Sequence, residues 1–195
     1  MNREALVSRN RRMTDAYHRL PLKHQVRRGL LRLVAGLPIL PIKAEGVNRI
    51  LLIRPDHLGD VLLTTPAIHA LRAALPDTEI HALVGPWSAN VLASYPEIDL
   101  VLTLPFPGFS RRHPKDNWRS PYRIAWDSAR HLRHIGYQSA IIFRPDHWWG
   151  ALLAHLAGIP ERVGYDLKDT APFLTHKQPH QHDHVVVQSL RLVEQ

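Results

Sequence analysis

The chain contains no cysteine. Disulfide bridges, thiolate metal sites and thiol catalysis are therefore excluded, and a reducing compartment fits the composition. It also lacks a long hydrophobic run. The most apolar early stretch, residues 29–42, is broken by Arg32, Pro38 and Pro41, whereas a bilayer span needs about 20 apolar residues. That stretch starts too late for a secretory signal and no small-residue cleavage site follows it, so a cytoplasmic protein is expected. There is no internal repeat and no low-complexity tract. Acidic residues are scarce in one region only: residues 1–43 hold ten Lys/Arg against Glu4 and Asp15, and the rest of the chain is balanced. The net charge of +8 points to polyanionic partners: nucleic acid, phosphorylated glycans or an acidic membrane surface. No nucleic-acid-binding motif accompanies the charge, so nucleic acid is not an expected partner.

What is present is the composition of an ordinary globular protein, 45% hydrophobic and 22% charged over 195 residues, enough for one sizeable domain and an arm. Val26, Leu30, Leu33, Val34 and Leu37 recur at helical spacing among Lys23, Arg27, Arg28 and Arg32, which predicts a basic amphipathic helix. Such a helix either lies on an anionic membrane or packs on the domain with a solvated basic side. Pro38 and Pro41 end it, giving an arm and linker over residues 1–45 and a domain over 46–195.

The domain alternates strand and helix. Ile50 to Ile53 is a continuous apolar run, as expected of a strand buried on both faces. Further strands are expected at 79–84, 99–104, 139–143 and 162–165. Helices are expected from Asp60 to Leu75, at 88–94, 122–134 and 148–157, and over 183–194 with Asp183 as cap. Residues 105–120 and 176–182 read as loops. This rhythm implies an α/β class: a Rossmann-like, doubly wound parallel sheet with helices on both faces. Ligands of such sheets bind beyond the carboxyl ends of the strands, which directs attention to residues 54–60, 85–88, 105–120 and 144–149.

The segment from Ile50 to Ala67 carries the strongest signal. A buried strand turns through Gly59, which permits a tight turn or close substrate approach, into a helix whose first turn holds Asp60. The helix N-terminus favours that carboxylate in its ionised form. It is then either a base for a bound hydroxyl or an N-cap. The stretch Leu58-Gly59-Asp60-Val61-Leu62-Leu63-Thr64-Thr65-Pro66-Ala67 resembles the amino-terminal signature of glycosyltransferase family 9, the ADP-heptose:lipopolysaccharide heptosyltransferase family. Pro96 to Asp99, Ala151 to Tyr165 with its Arg-Val-Gly-Tyr ending, and His184 to Leu192 are similar to later segments of that family, in the same order.

The resemblance implies the N-terminal half of a two-domain GT-B enzyme: this Rossmann-like domain binds the acceptor, and a second binds a nucleotide sugar such as ADP-heptose. Asp60 matches the catalytic base of an inverting transfer that requires no divalent metal and no other cofactor. Gly59 and Thr64 lie in the matched segment and His57 just before it, and all three are expected to contact substrate. The family's best-known members act on the phosphorylated inner core of lipopolysaccharide at the cytoplasmic face of the inner membrane. An acidic glycan or glycolipid acceptor and an anionic membrane surface are thus the implied partners. Many members carry Ser-Ser where this chain has Asp56-His57. The match runs out at Gln195, where the first domain passes into the second. The donor-binding domain is expected to lie outside this chain, and turnover by this chain alone is not expected. The alternative is a non-catalytic acceptor- or partner-binding half-enzyme that works with a separate second domain.

Arg111, Arg112, Lys115, Arg119 and Arg123 cluster around Trp118 and Tyr122 after the third strand. They form either a clamp for phosphate or carboxylate on an acidic acceptor or a solvated loop. Arg144-Pro145-Asp146-His147 repeats Arg54-Pro55-Asp56-His57, and Arg144 and Trp148 join the expected substrate contacts, Trp148 by stacking on a sugar ring unless it packs as core. His57 and His147 are candidates for proton transfer or for ordinary hydrogen-bonding loop positions. His176, His180, His182 and His184 fit loose metal-ligand spacings, but they lie in a loop without paired distant ligands, and no metal site is expected.

Overall fold

The computed structural model describes residues 22–41, 46, 48–109 and 119–194. The chain divides into two compact units, residues 1–37 and 38–195. In the first, helix α1 spans Leu22–Ala35, ending short of Pro38, whose ring bars the preceding residue from helical geometry.

The second unit is built on six strands: β1 (Arg49–Arg54), β2 (Glu79–Val84), β3 (Leu100–Thr103), β4 (Ser139–Ile142), β5 (Glu161–Tyr165) and β6 (His176–Gln178). All pair in parallel, in the order β3-β2-β1-β4-β5-β6. Parallel strands need crossovers, supplied by α2 (Leu58–Leu62), α3 (Thr65–Ala74), α4 (Ala89–Leu92), α5 (Ser120–Ile135) and α6 (Trp148–Leu156), with α7 (Val185–Val193) closing the unit. The centre of the sheet is where the sequence is most apolar. Leu51 and Ile53 are wholly buried and Leu52 nearly so, because β1 has a strand on each side and helices above and below. Ile50 and Leu52 join one core layer with Val61, Ala67, Ile68, Leu71, Leu92 and Leu192 from α2, α3, α4 and α7. On the opposite face Ile53 packs against Gly150 of α6, which lies beside α5. The expected doubly wound Rossmann-like sheet is present, with helices on both faces.

Three local expectations are corrected. The helix from Asp60 to Leu75 is two helices broken at Leu63–Thr64; Pro66 lacks an amide hydrogen and is accommodated in the first turn of the second. Residues 176–178, read as loop, form the edge strand β6, in register with Val163 to Tyr165. The last helix is capped by His184, whose Nδ1 accepts from the Val186 amide, rather than by Asp183; Asp183 instead pairs with Arg191. α5 closes at Gly136, which takes the left-handed conformation, φ 77°, that ends many helices.

Candidate active site

The strand order places the reversal of winding between β1 and β4, which is where sheets of this class bind ligands, in the crevice beyond the carboxyl ends of the strands. Both strands end there in the same tetrapeptide. Arg54-Pro55-Asp56-His57 leads into α2 and Arg144-Pro145-Asp146-His147 into α6, each histidine being the N-cap.

Asp56 is the hub. Only 3% exposed, its carboxylate lies 3.0 Å from Nε of Arg54, a close ion pair without hydrogen-bond alignment, and accepts a short hydrogen bond from Nη1 of Arg144. Its backbone carbonyl accepts from Trp87 Nε1 (3.0 Å) and Ser88 Oγ (2.9 Å) in the loop after β2. One residue therefore ties together the ends of β1, β2 and β4. Arg144 also forks onto Asp146, Nε to Oδ1 at 2.6 Å and Nη2 to Oδ2 at 3.3 Å, and lies 5.1 Å over the Phe109 ring. Burial lowers the pKa of Arg54 from the ordinary arginine value, opposed by Asp56 and Asp60. Burial acts the same way on Arg144, but the hydrogen bonds to Asp146 and the charge of Asp56 outweigh it and leave its pKa raised.

Trp87 depends on Gly85: a Cβ there would lie 2.1 Å from the indole. Gly85→Ala is expected to push Trp87 off the Asp56 carbonyl at a cost of about 1–3 kcal/mol, the usual penalty of overpacking. Urea unfolding followed by tryptophan fluorescence measures both effects.

Asp60 is the third residue of α2, half-buried, and no described residue hydrogen-bonds to its carboxylate. The N-cap position belongs to His57, so capping does not account for it. His57 is exposed, its ring 5.7 Å from Trp87 and tilted at 50°. Gly59 is helical rather than at a turn, which falls at Pro55–His57; a Cβ on it would meet nothing within 4 Å, leaving open space beside Asp60. Thr64, expected at the substrate, is 1% exposed and its hydroxyl donates to the Asp60 carbonyl at 2.9 Å. It closes the junction of α2 and α3 from within. Arg119, exposed, is the N-cap of α5, and Trp148 is half-buried with its ring 6.5 Å from Tyr122. Arg111, Arg112, Lys115 and Trp118 lie outside the described residues. Of the expected substrate contacts, His57, Gly59 and Arg144 lie with Asp60 just beyond the carboxyl ends of β1 and β4. Arg54, Asp56 and Trp87 fall in the stretches 54–60 and 85–88 to which the strand ends pointed, but were not named as site residues; for Arg54 and Asp56 the repeated tetrapeptide was the available signal.

The second histidine of the repeat has the opposite fate. His147 is 5% exposed, edge-on to Phe106 at 5.3 Å and to Phe109 at 5.8 Å, and neither ring nitrogen has a partner among the described residues. It is not a hydrogen-bonding loop histidine. Burial, then the charge of Arg144, depress its pKa from 6.5 to about 3. Between those values the unfolded chain binds a proton that the native chain refuses. This contribution to stability is therefore complete above pH 6.5 and lost as pH falls through that window. His81, buried and also lowered by desolvation, acts in the same direction. His147→Phe is expected to reduce the acid loss between pH 7 and 4 by on the order of a few kcal/mol, read from urea unfolding at both pH values.

No protein-family model matches the chain, and no curated protein matches it. Solved structures do. E. coli ADP-heptose lps heptosyltransferase II is 20% identical with a TM-score of 0.62, over 74% of this chain and 40% of that one. The glycosyl transferase family 9 protein from Veillonella parvula DSM 2008 is 23% identical with a TM-score of 0.63, over 75% and 40%. E. coli heptosyltransferase WaaC with ADP is 20% identical with a TM-score of 0.58, over 74% and 45%. The chain spans less than half the length of each, and what it shares with them is the fold. Among the described residues, no helix is long and apolar enough to cross a membrane.

Proposed function

We propose that this chain is the acceptor-binding half of an inverting glycosyltransferase of the family 9 type. It presents an acidic glycan acceptor, such as the phosphorylated lipopolysaccharide core, to a heptose or related sugar carried on a nucleotide, at the cytoplasmic face of the inner membrane. The observation that carries this reading is the carboxylate of Asp60, half-buried at the mouth of the central strand, at the winding reversal, with no hydrogen bond from any described residue. The fold shared with heptosyltransferases supports it. In the proposed step the acceptor hydroxyl donates its proton to Asp60 as its oxygen bonds to the anomeric carbon. The bond from that carbon to the nucleotide phosphate breaks on the far side, the electron pair leaves with the phosphate, and the configuration inverts. Arg54 supplies positive charge beside the carboxylate. Arg144, Trp87 and Trp148 form the cationic and aromatic walls that an acidic sugar requires.

Binding tests this without requiring turnover. Titration of the protein with phosphorylated inner-core oligosaccharide, followed by NMR, is expected to shift the indole signals of Trp87 and Trp148, and added salt should weaken the binding. A dephosphorylated core should bind less tightly. Shifts confined to residues away from the crevice, or no binding of any core glycan, would sink the proposal.

A further inference from the structure

The first unit carries a surface for which the transfer site has no use. α1 shows Val26, Leu30 and Leu33 to solvent at 57%, 59% and 71%, and Leu37, just past its end, at 58%. At about 3.6 residues per turn these fall on one narrow stripe along the helix. By the same periodicity Arg27 and Arg32 lie on either side of the stripe and Arg28 on the far face. No Asp or Glu occurs anywhere between Asp15 and Glu45. An apolar stripe bordered by arginines, in a stretch free of negative charge, is complementary to a surface that is apolar below and anionic above.

We propose that α1 is an interfacial anchor that lies in the plane of an anionic lipid leaflet. Val26, Leu30, Leu33 and Leu37 enter the acyl region, and the arginines meet the lipid phosphates. Fourteen residues extend only about 21 Å as a helix, short of the roughly 30 Å hydrocarbon core, so the helix lies along the surface. Nucleic acid would engage the arginines and leave the leucines in water. A second copy would cover the leucines while bringing two sets of arginines together. A lipid leaflet satisfies both.

Sedimentation with vesicles tests the assignment on the full chain. The protein is expected to bind mixed phosphatidylcholine–phosphatidylglycerol vesicles and to bind pure phosphatidylcholine at least roughly tenfold more weakly. Leu30→Ser with Leu33→Ser keeps every charge and should cut binding to the mixed vesicles roughly tenfold or more. Leu30→Met with Leu33→Met keeps both apolarity and helix propensity and should bind like the wild type, separating lost insertion from a lost helix. Val187→Ser, at an exposed position of α7, should change nothing. Serine variants that bind as tightly as the wild type would overturn the proposal. So would equal binding to both vesicle types, or a leucine-dependent dimer that binds no vesicles. Salt-sensitive capture of an RNA or DNA oligonucleotide without vesicle binding would assign the arm to nucleic acid instead.

Discussion

Asp56→Ala is expected to destabilise the second unit by about 3–5 kcal/mol, whereas Asp146→Ala, the same change in the repeated tetrapeptide, should cost under about 1 kcal/mol. The difference comes from burial. The Asp56 carboxylate faces Arg54, itself only 6% exposed, and Arg144. Removing it strands a guanidinium that has left water and lost its nearest counter-charge. The Asp146 side chain is 65% exposed, and if it is lost water solvates its side of Arg144. Alanine at 56 leaves the chain's own carbonyl in place, so the bonds from Trp87 and Ser88 need not break. Replacing the pair together, Arg54→Met with Asp56→Leu, is expected to recover most of the loss, because a buried ion pair and an apolar pair of similar volume are nearly equivalent. Urea unfolding of the four proteins decides the matter. Equal costs for the two alanine variants would mean that Asp56 is not the hub its surroundings indicate.

Asp60→Asn is expected to slow glycosyl transfer about 10²–10⁴-fold, the usual worth of a positioned general base, in a reaction supplied with a donor-binding domain, a nucleotide-heptose and a phosphorylated core acceptor. Asparagine keeps the size of the side chain and removes only its capacity to take a proton. No described residue hydrogen-bonds to the carboxylate, so the fold should be unaffected. A base acts on the rate, so acceptor KM should move little while kcat falls. His57→Ala is the comparison. An exposed ring on the rim of the crevice should alter KM more than kcat. Unchanged transfer by Asp60→Asn, with acceptor binding intact, would leave the chain as a binding module and place the base elsewhere.

The parts of the fold that could be read in advance are those where composition and burial agree. Ile50 to Ile53 announces a buried parallel strand because a sheet covered on both faces needs apolar residues at every position. The helix expected over 122–134 is present as α5, Ser120–Ile135. β6 was not legible: His176, Lys177 and Gln178 have no apolar pattern, and only the open edge of β5 makes them a strand. The break between α2 and α3 falls at Thr64-Thr65-Pro66, where Pro66 marks a new helix start that the single expected helix passed over, and the Thr64 side chain shows how the junction is closed. Asp60 was singled out by its place after a strand and a glycine, and its reading as a base came from the family resemblance. Asp56 was noticed as a departure from a family pattern and as part of a repeated tetrapeptide, but nothing in its neighbours along the chain reveals that two arginines converge on it.

Sequence alone determined the alternation of strand and helix, the parallel sheet and the position of one carboxylate at its mouth, because these follow from local periodicity and from residues close along the chain. It did not distinguish the two Arg-Pro-Asp-His segments. In the first, the loop after β2 and Arg144 from β4 wall in the aspartate, while the histidine stays in water. In the second, Phe106 and Phe109 from the loop after β3 cover the histidine, while the aspartate faces solvent. Identical residues thus became a buried ion hub and a surface fork, an exposed rim and a neutral core ring. Burial depends on which distant elements arrive alongside, and strand order decides that.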